Sequence, residues 1–257
     1  MTIALKPIFK LGLFCKERSG REDKLGGLPF GLPTSKWPHC RVCGRPQVYI
    51  AQFRASEIIR LGREGRVLFL FQCPDGALCA AWDPSTGANC ALILDEGQLT
   101  NHPTDAPPGT EVEPEAIIVG WEPVEPSSYV SYVGDTPTYG PDHVGYKNKE
   151  CGRFLLQLRG YLDFKGPVPT PDQTGAEHSH YSGGQYGHDN VRVEQPPRPR
   201  RHFGAWSRGQ TDVPGRPSQI SISENGEWGI EWANFGGGTA YVFMDDANDC
   251  AFYFCEI

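Results

Sequence analysis

The stretch Cys40-Arg41-Val42-Cys43-Gly44-Arg45-Pro46-Gln47-Val48-Tyr49-Ile50-Ala51-Gln52-Phe53 runs from a thiol-bearing turn straight into a strand. A Cys-x-x-Cys turn followed by Gly bends back on itself, because Gly44 tolerates backbone angles that other residues avoid. The run from Gln47 is rich in β-branched and aromatic residues and predicts a strand over residues 47–53. Residues 55–61 predict a short helix ended by Gly62. A second strand, Arg66-Val67-Leu68-Phe69-Leu70-Phe71-Gln72, leads directly into Cys73, and Pro74-Asp75-Gly76 supplies a turn before Cys79. Further strands are predicted at residues 91–94, 116–121, 154–158 and 218–223. A closing hairpin joins residues 238–244 to 251–254. Strands outnumber helices throughout. The expected class is mainly β, or α+β, with antiparallel sheet units, few short helices and a zinc knuckle.

Composition agrees. With 257 residues and 39% hydrophobic content, the chain can bury a substantial core. Its 31 Gly and 23 Pro require much turn and loop, which argues against a helical bundle. A Pro-rich connector at residues 122–126 divides an N-terminal β-rich half, 1–125, from a C-terminal one, 126–257; the two are expected to form one globular unit. Residues 166–209 are polar and rich in Gly, Pro, His and Arg, and read as a long loop insertion. The halves echo one another. Cys43-Gly44 before Tyr49-Ile50-Ala51-Gln52-Phe53 is matched by Cys151-Gly152 before Phe154-Leu155-Leu156-Gln157-Leu158, and Gly27-Leu28-Pro29 by Gly134-Asp135-Thr136-Pro137. A duplicated unit whose second copy lost its metal accounts for this, and chance similarity of two short apolar strands accounts for it as well.

The net charge of −7 argues against a nucleic-acid binder, which needs a basic face. The N-terminal fifteen residues are broken by Lys6, Pro7 and Lys10, so neither a secretory signal nor a membrane span is expected. Nine cysteines without an export signal suit metal ligands and reduced thiols better than disulfides, which places the protein in the cytoplasm.

Cys40, Cys43, Cys73 and Cys79 are the expected ligands of one structural Zn²⁺. Two turns facing each other bring four sulfurs to the corners of a tetrahedron, and a closed set of four leaves no position for substrate. The spacing is wider than that of common zinc ribbons. His39 and Cys90 are the substitute ligands weighed against this set.

Leu25-Gly26-Gly27-Leu28-Pro29, Trp37-Pro38, the knuckle with Pro46, residues 49–53, 69–73 and 81–83, and Gly237-Gly238-Thr239-Ala240-Tyr241-Val242-Phe243 together resemble the bacterial YwqG-like family. The Gly-Gly-x-Pro opening and zinc-type cysteines are also distantly similar to the programmed-cell-death-two zinc proteins. The resemblance covers most of the chain outside the polar insertion. It implies a duplicated, mainly antiparallel β fold and no established enzyme activity. It also implies a binding role: either an immunity protein that occludes the active site of a partner toxin, or an escort of a nascent protein.

No Gly-x-Ser-x-Gly, Walker loop or helix-opening Gly-x-Gly-x-x-Gly is present. His178, His180 and His188 form a His-rich loop that reads as solvated. Glu111, Glu113 and Glu115, with Asp245, Asp246 and Asp249, are the candidate carboxylates for a basic protein partner; solvated strand edges are the plain alternative. The expected function is binding of a protein partner, toxin inhibition in its most specific form. An enzyme with a cleft between the halves is the alternative from another class.

Overall fold

The computed structural model describes residues 4–12, 20–127, 130–138, 152–164, 167–168, 177–181, 219–223, 228–231, 239–245, 247 and 250–256. The strands are β1 (Ala4–Leu11), β2 (Lys24–Leu25), β3 (Val48–Arg54), β4 (Val67–Gln72), β5 (Asn89–Leu94), β6 (Ala116–Val124) and β7 (Tyr132–Val133). They continue as β8 (Arg153–Arg159), β9 (Tyr161–Phe164), β10 (Glu177–Tyr181), β11 (Gln219–Ser223), β12 (Trp228–Glu231), β13 (Thr239–Asp245) and β14 (Cys250–Glu256). Helical structure among the described residues is limited to short 3-10 turns such as Thr34–Lys36 and Glu96–Gln98. The protein is mainly β, as its composition requires.

One antiparallel sheet bends almost into a barrel. Its ladder runs β5-β4-β3-β2-β6-β1 and continues through β7, β8 and β13 to β14, which lies alongside β5. A side branch, β9-β12-β11-β10, leaves from β1; parallel pairing occurs only at β1–β9 and β10–β11 among the described strands. Near closure satisfies strand edges that would otherwise offer unpaired backbone groups.

The ring is duplicated. β1 to β5 correspond in order to β6, β7, β8, β13 and β14, and each pairing in the first unit has its counterpart in the second. β6 pairs with β2 as β1 pairs with β7, so each unit's first strand is lent to the other unit. The detail is reproduced as well. Ile50 is an extra residue of β3 between the pairs Tyr49–Phe71 and Ala51–Leu70. Leu155 is an extra residue of β8 between Phe154–Phe243 and Leu156–Val242. Two residues beyond each bulge stands a buried glutamine. Gln52 pairs across from Lys24, and Gln157 across from Tyr132. Gln52 Nε2 donates to the carbonyls of Gly20 and Glu22, and its Oε1 accepts the Phe30 N–H. Gln157 Nε2 donates to the carbonyls of Ser127 and Val130, and its Oε1 accepts the Thr138 hydroxyl. The bulge turns each strand, and the glutamine ties down the segment entering the unit.

The core is shared between the halves. Leu68 and Leu70 of β4 belong to one buried cluster with Leu156 of β8 and Val242 of β13. On the other face of β3–β4, Tyr49, Phe69 and Phe71 are covered by Leu32 and Trp37, with Trp37 and Phe71 edge-to-face at 5.3 Å. The equivalent positions of the second unit, Phe154 and Tyr241, pack with Tyr132. β3 and β4 are thus buried on both faces, which is why they read as unbroken apolar runs.

Three expectations need correction. Residues 55–61 form bends rather than a helix. The Ser56 hydroxyl accepts the Ile59 N–H, and the Ser56 N–H donates to the Ile59 carbonyl, closing a local turn in place of a helical one. Ile59 and Leu61 are buried in the shared core, so packing fixes the segment. The connector at 122–126 begins inside β6, which runs to Val124. The insertion at 166–209 is not all loop: Glu177–Tyr181 is a strand pairing with β11, and Val168 packs on the core. His178 and His180 lie on that strand, while His188 and the rest of the polar stretch lie outside the described residues.

Candidate metal centre

Strand register brings the two cysteine turns together. Val48 pairs with Gln72 and Gln72 with Asn89, so the ends of β3, β4 and β5 lie in one row. The chain entering β3 carries Cys40 and Cys43, and the β4–β5 connection carries Cys73 and Cys79. Both therefore leave the same end of the sheet.

Each turn is wired separately. The Cys40 N–H donates to the Arg45 carbonyl at 2.8 Å and the Gly44 N–H to the Cys40 carbonyl at 2.9 Å, closing the first knuckle, with Gly44 at φ 74°. In the second, the Cys73 N–H donates to Ala88 and the Cys79 N–H to Asp75. Gln47, wholly buried, donates its Nε2 to the carbonyls of Gly87 (3.0 Å) and Ala88 (3.1 Å), joining one loop to the other. The Trp37 indole N–H donates to the Gln47 carbonyl. An ion pair between Arg45 and Asp75 crosses the same gap.

The outcome is four sulfurs within 4.8 Å of one another. Cys40, Cys73 and Cys79 are buried with Ala81 and Ala88, while Cys43 is exposed. The Cys43 and Cys73 sulfurs are 3.6 Å apart. A tetrahedral ion with metal–sulfur bonds of about 2.3 Å places its sulfurs about 3.8 Å apart, close to the Cys43–Cys73 separation and inside the 4.8 Å span of the group. The backbone N–H of Arg45, with its guanidinium, pulls the Cys43 thiol down to about 6, while burial pushes Cys73 and Cys79 up. A bound divalent cation would favour the thiolate form at all four positions. These four cysteines can hold a metal ion.

The two substitute ligands stand aside. Cys90 lies in β5, where burial pushes its thiol up to about 11, and it packs against the Trp37 cluster. His39 and Cys90 line a cavity of about 230 Å³ with Arg41, Gln47, Asn89 and Ala251, where β5 meets β14. Sequence reading missed Gln47 and the Arg45–Asp75 pair. Both join residues distant in the chain, and no local motif announces them.

The carboxylates behave unevenly. Glu111 is exposed. Glu113 is buried, and Glu115 accepts a hydrogen bond from the buried Lys24 ammonium at 2.8 Å. The turn at Gly26 lies so close that a Cβ there would stand 2.0 Å from the Pro114 carbonyl oxygen. Glu113 and Glu115 thus belong to the internal packing of that turn, which corrects their expected place on a partner-facing surface. Asp245 ends β13 and accepts the Ala247 N–H, while Asp246 and Asp249 lie outside the described residues.

No family model matches the chain, and no curated protein matches it in sequence. No helix among the described residues is long and apolar enough to cross a membrane.

Proposed function

We propose that the chain is a zinc-stapled binding protein, in which Cys40, Cys43, Cys73 and Cys79 hold one Zn²⁺ and the rest of the molecule presents surfaces to another protein. The observation that carries the reading is the sulfur cluster: four thiols, three of them buried, within 4.8 Å of one another. An all-sulfur set favours zinc over the oxygen-seeking divalent ions. Four protein ligands fill the coordination shell, so the metal activates no water and fastens the loops instead.

A metal that only fastens leaves function to the surface. In its most specific form the partner is a toxin whose active site this protein covers, one of the binding roles that the resemblance to the YwqG-like family implies. The acidic balance of −7 suits a basic partner and speeds its encounter. Purification of the tagged chain from its native lysate tests the binding role: a stoichiometric protein partner is expected. Repeated recovery of the bare chain, with the suspected toxin expressed, would contradict it.

A further inference from the structure

Single apolar side chains on a surface need no explanation, but gathered ones do. Among the described residues the exposed large hydrophobics are Leu78 (85% exposed), Val119 (57%), Val42 (56%), Trp82 (49%) and Tyr161 (39%). Val42, Leu78 and Trp82 all stand on the two loops that carry the cysteines. Val42 immediately precedes Cys43 and Leu78 immediately precedes Cys79. Since the four sulfurs lie within 4.8 Å of one another, these side chains flank one centre.

The second loop is shaped for this display. Cys79 and Ala81 are turned inward, each 4% exposed, while Leu78 and Trp82 on either side of them face out. Ala80 between them has φ 55°, the one positive φ of a non-glycine residue among those described. Alanine reaches that conformation only under strain, and such strain persists where the surroundings impose it. Here the Ala80 carbonyl accepts the Asp83 N–H at 2.9 Å and the Thr86 hydroxyl at 3.3 Å.

Charge around the face defines what it suits. A zinc tetrathiolate carries two net negative charges. Asp83 is exposed beside Trp82 and is held ionised by hydrogen bonds from the Ser85 N–H and hydroxyl. Arg45 is matched by Asp75. The stem of Arg41 lies against Gly87 and lines the cavity beside β5. Exposed Arg41 and Arg45 are offset by Asp75 and Asp83, so the charge of the zinc-loaded face is that of the tetrathiolate, on a chain of net charge −7.

We infer that the knuckle face of Val42, Leu78 and Trp82 docks a segment of another protein in which apolar side chains are flanked by Lys or Arg. This rests on the reading of the chain as a zinc-held binding protein and names its contact surface and the partner's chemistry. Exposed apolar anchors of this kind, an aromatic among them, carry most of the energy at interfaces.

The test uses the full zinc-loaded chain and three short labelled peptides read by fluorescence anisotropy. One alternates Leu with Lys, one alternates Leu with Glu, and one replaces the Leu of the first by Ser. Only the Leu/Lys peptide is expected to bind, and binding should weaken as salt rises. Leu78→Asp and Trp82→Ser should each weaken it about tenfold or more with zinc content unchanged. Equal binding by either control peptide would overturn the proposal. So would unchanged binding by Leu78→Asp, or no binding by a chain that retains zinc; both leave the metal reading standing. A dimer that Leu78→Asp dissociates would assign the face to a second copy and overturn the basic partner. A chain that purifies without zinc overturns the metal reading, and with it the charge of this face.

Discussion

Asp23 shows how one residue sets a pH response. It sits half-buried before β2, where its carboxylate accepts the Arg54 N–H at 2.7 Å. Burial outweighs that bond and pushes the carboxyl up from 3.8 to about 6. A carboxyl whose folded value is raised binds its proton more tightly in the folded chain. Its contribution to stability is complete below about pH 4 and is lost as pH rises through about 6. Asp23→Asn keeps an oxygen for the Arg54 N–H and removes the titration. In urea unfolding, the stability of Asp23→Asn relative to the parent should therefore rise by about 2–3 kcal/mol between those pH values. A difference that stays flat across the range would mean that Asp23 does not titrate there. Cys90 makes another residue-scale point. From sequence it competes with Cys79 as a ligand, and only the alternation of β5, which packs Cys90 against the Trp37 cluster, separates them.

At the scale of elements, the two bulged strands with their buried glutamines organise each unit. Gln52→Leu or Gln157→Leu strands two half-buried carbonyls apiece, which costs about 1–3 kcal/mol in either unit by denaturant unfolding. A loss in one unit alone would contradict their equivalence. The echo between residues 49–53 and 154–158 made this duplication legible, because an apolar strand with one internal polar residue is a distinctive pattern. Strands β3, β4, β8 and β13 were legible for the same reason: burial on both faces leaves continuous apolar runs. β1 was not. Pro7 and two lysines interrupt it, and Pro7 is tolerated because the ladder shifts at Ile8–Phe9 beside it. β9 and β12 are four residues each, too short to show a period, and they are held by Phe164 stacking on Trp228 at 4.5 Å. The helix expected at 55–61 fails for the opposite reason: its apolar spacing is real, but it serves the shared core.

For the whole molecule, the four-cysteine cluster belongs to one unit of a pair. In the second unit Asp245 pairs with Cys250, so only four residues join β13 to β14, too few for a counterpart of the Cys73–Cys79 loop. The first unit instead has a long β4–β5 connection whose inner surface is sulfur, alanine and buried glutamine rather than a packed apolar core. An ion bound by the four thiols would hold such a loop, much as staples hold small domains. The four cysteines were legible in the sequence because thiols in polar turns have few other uses. The register that aligns them was not, since it depends on the Val48–Gln72–Asn89 row. Elemental analysis of the purified chain, paired with its Cys73→Ser variant, tests the staple most directly. One zinc per parent chain is expected, with its loss in the variant and a destabilisation of about 4 kcal/mol, about 8–16 °C in melting temperature for a chain of this size. A parent chain that carries no metal, or a Cys73→Ser variant that melts where the parent does, would contradict it.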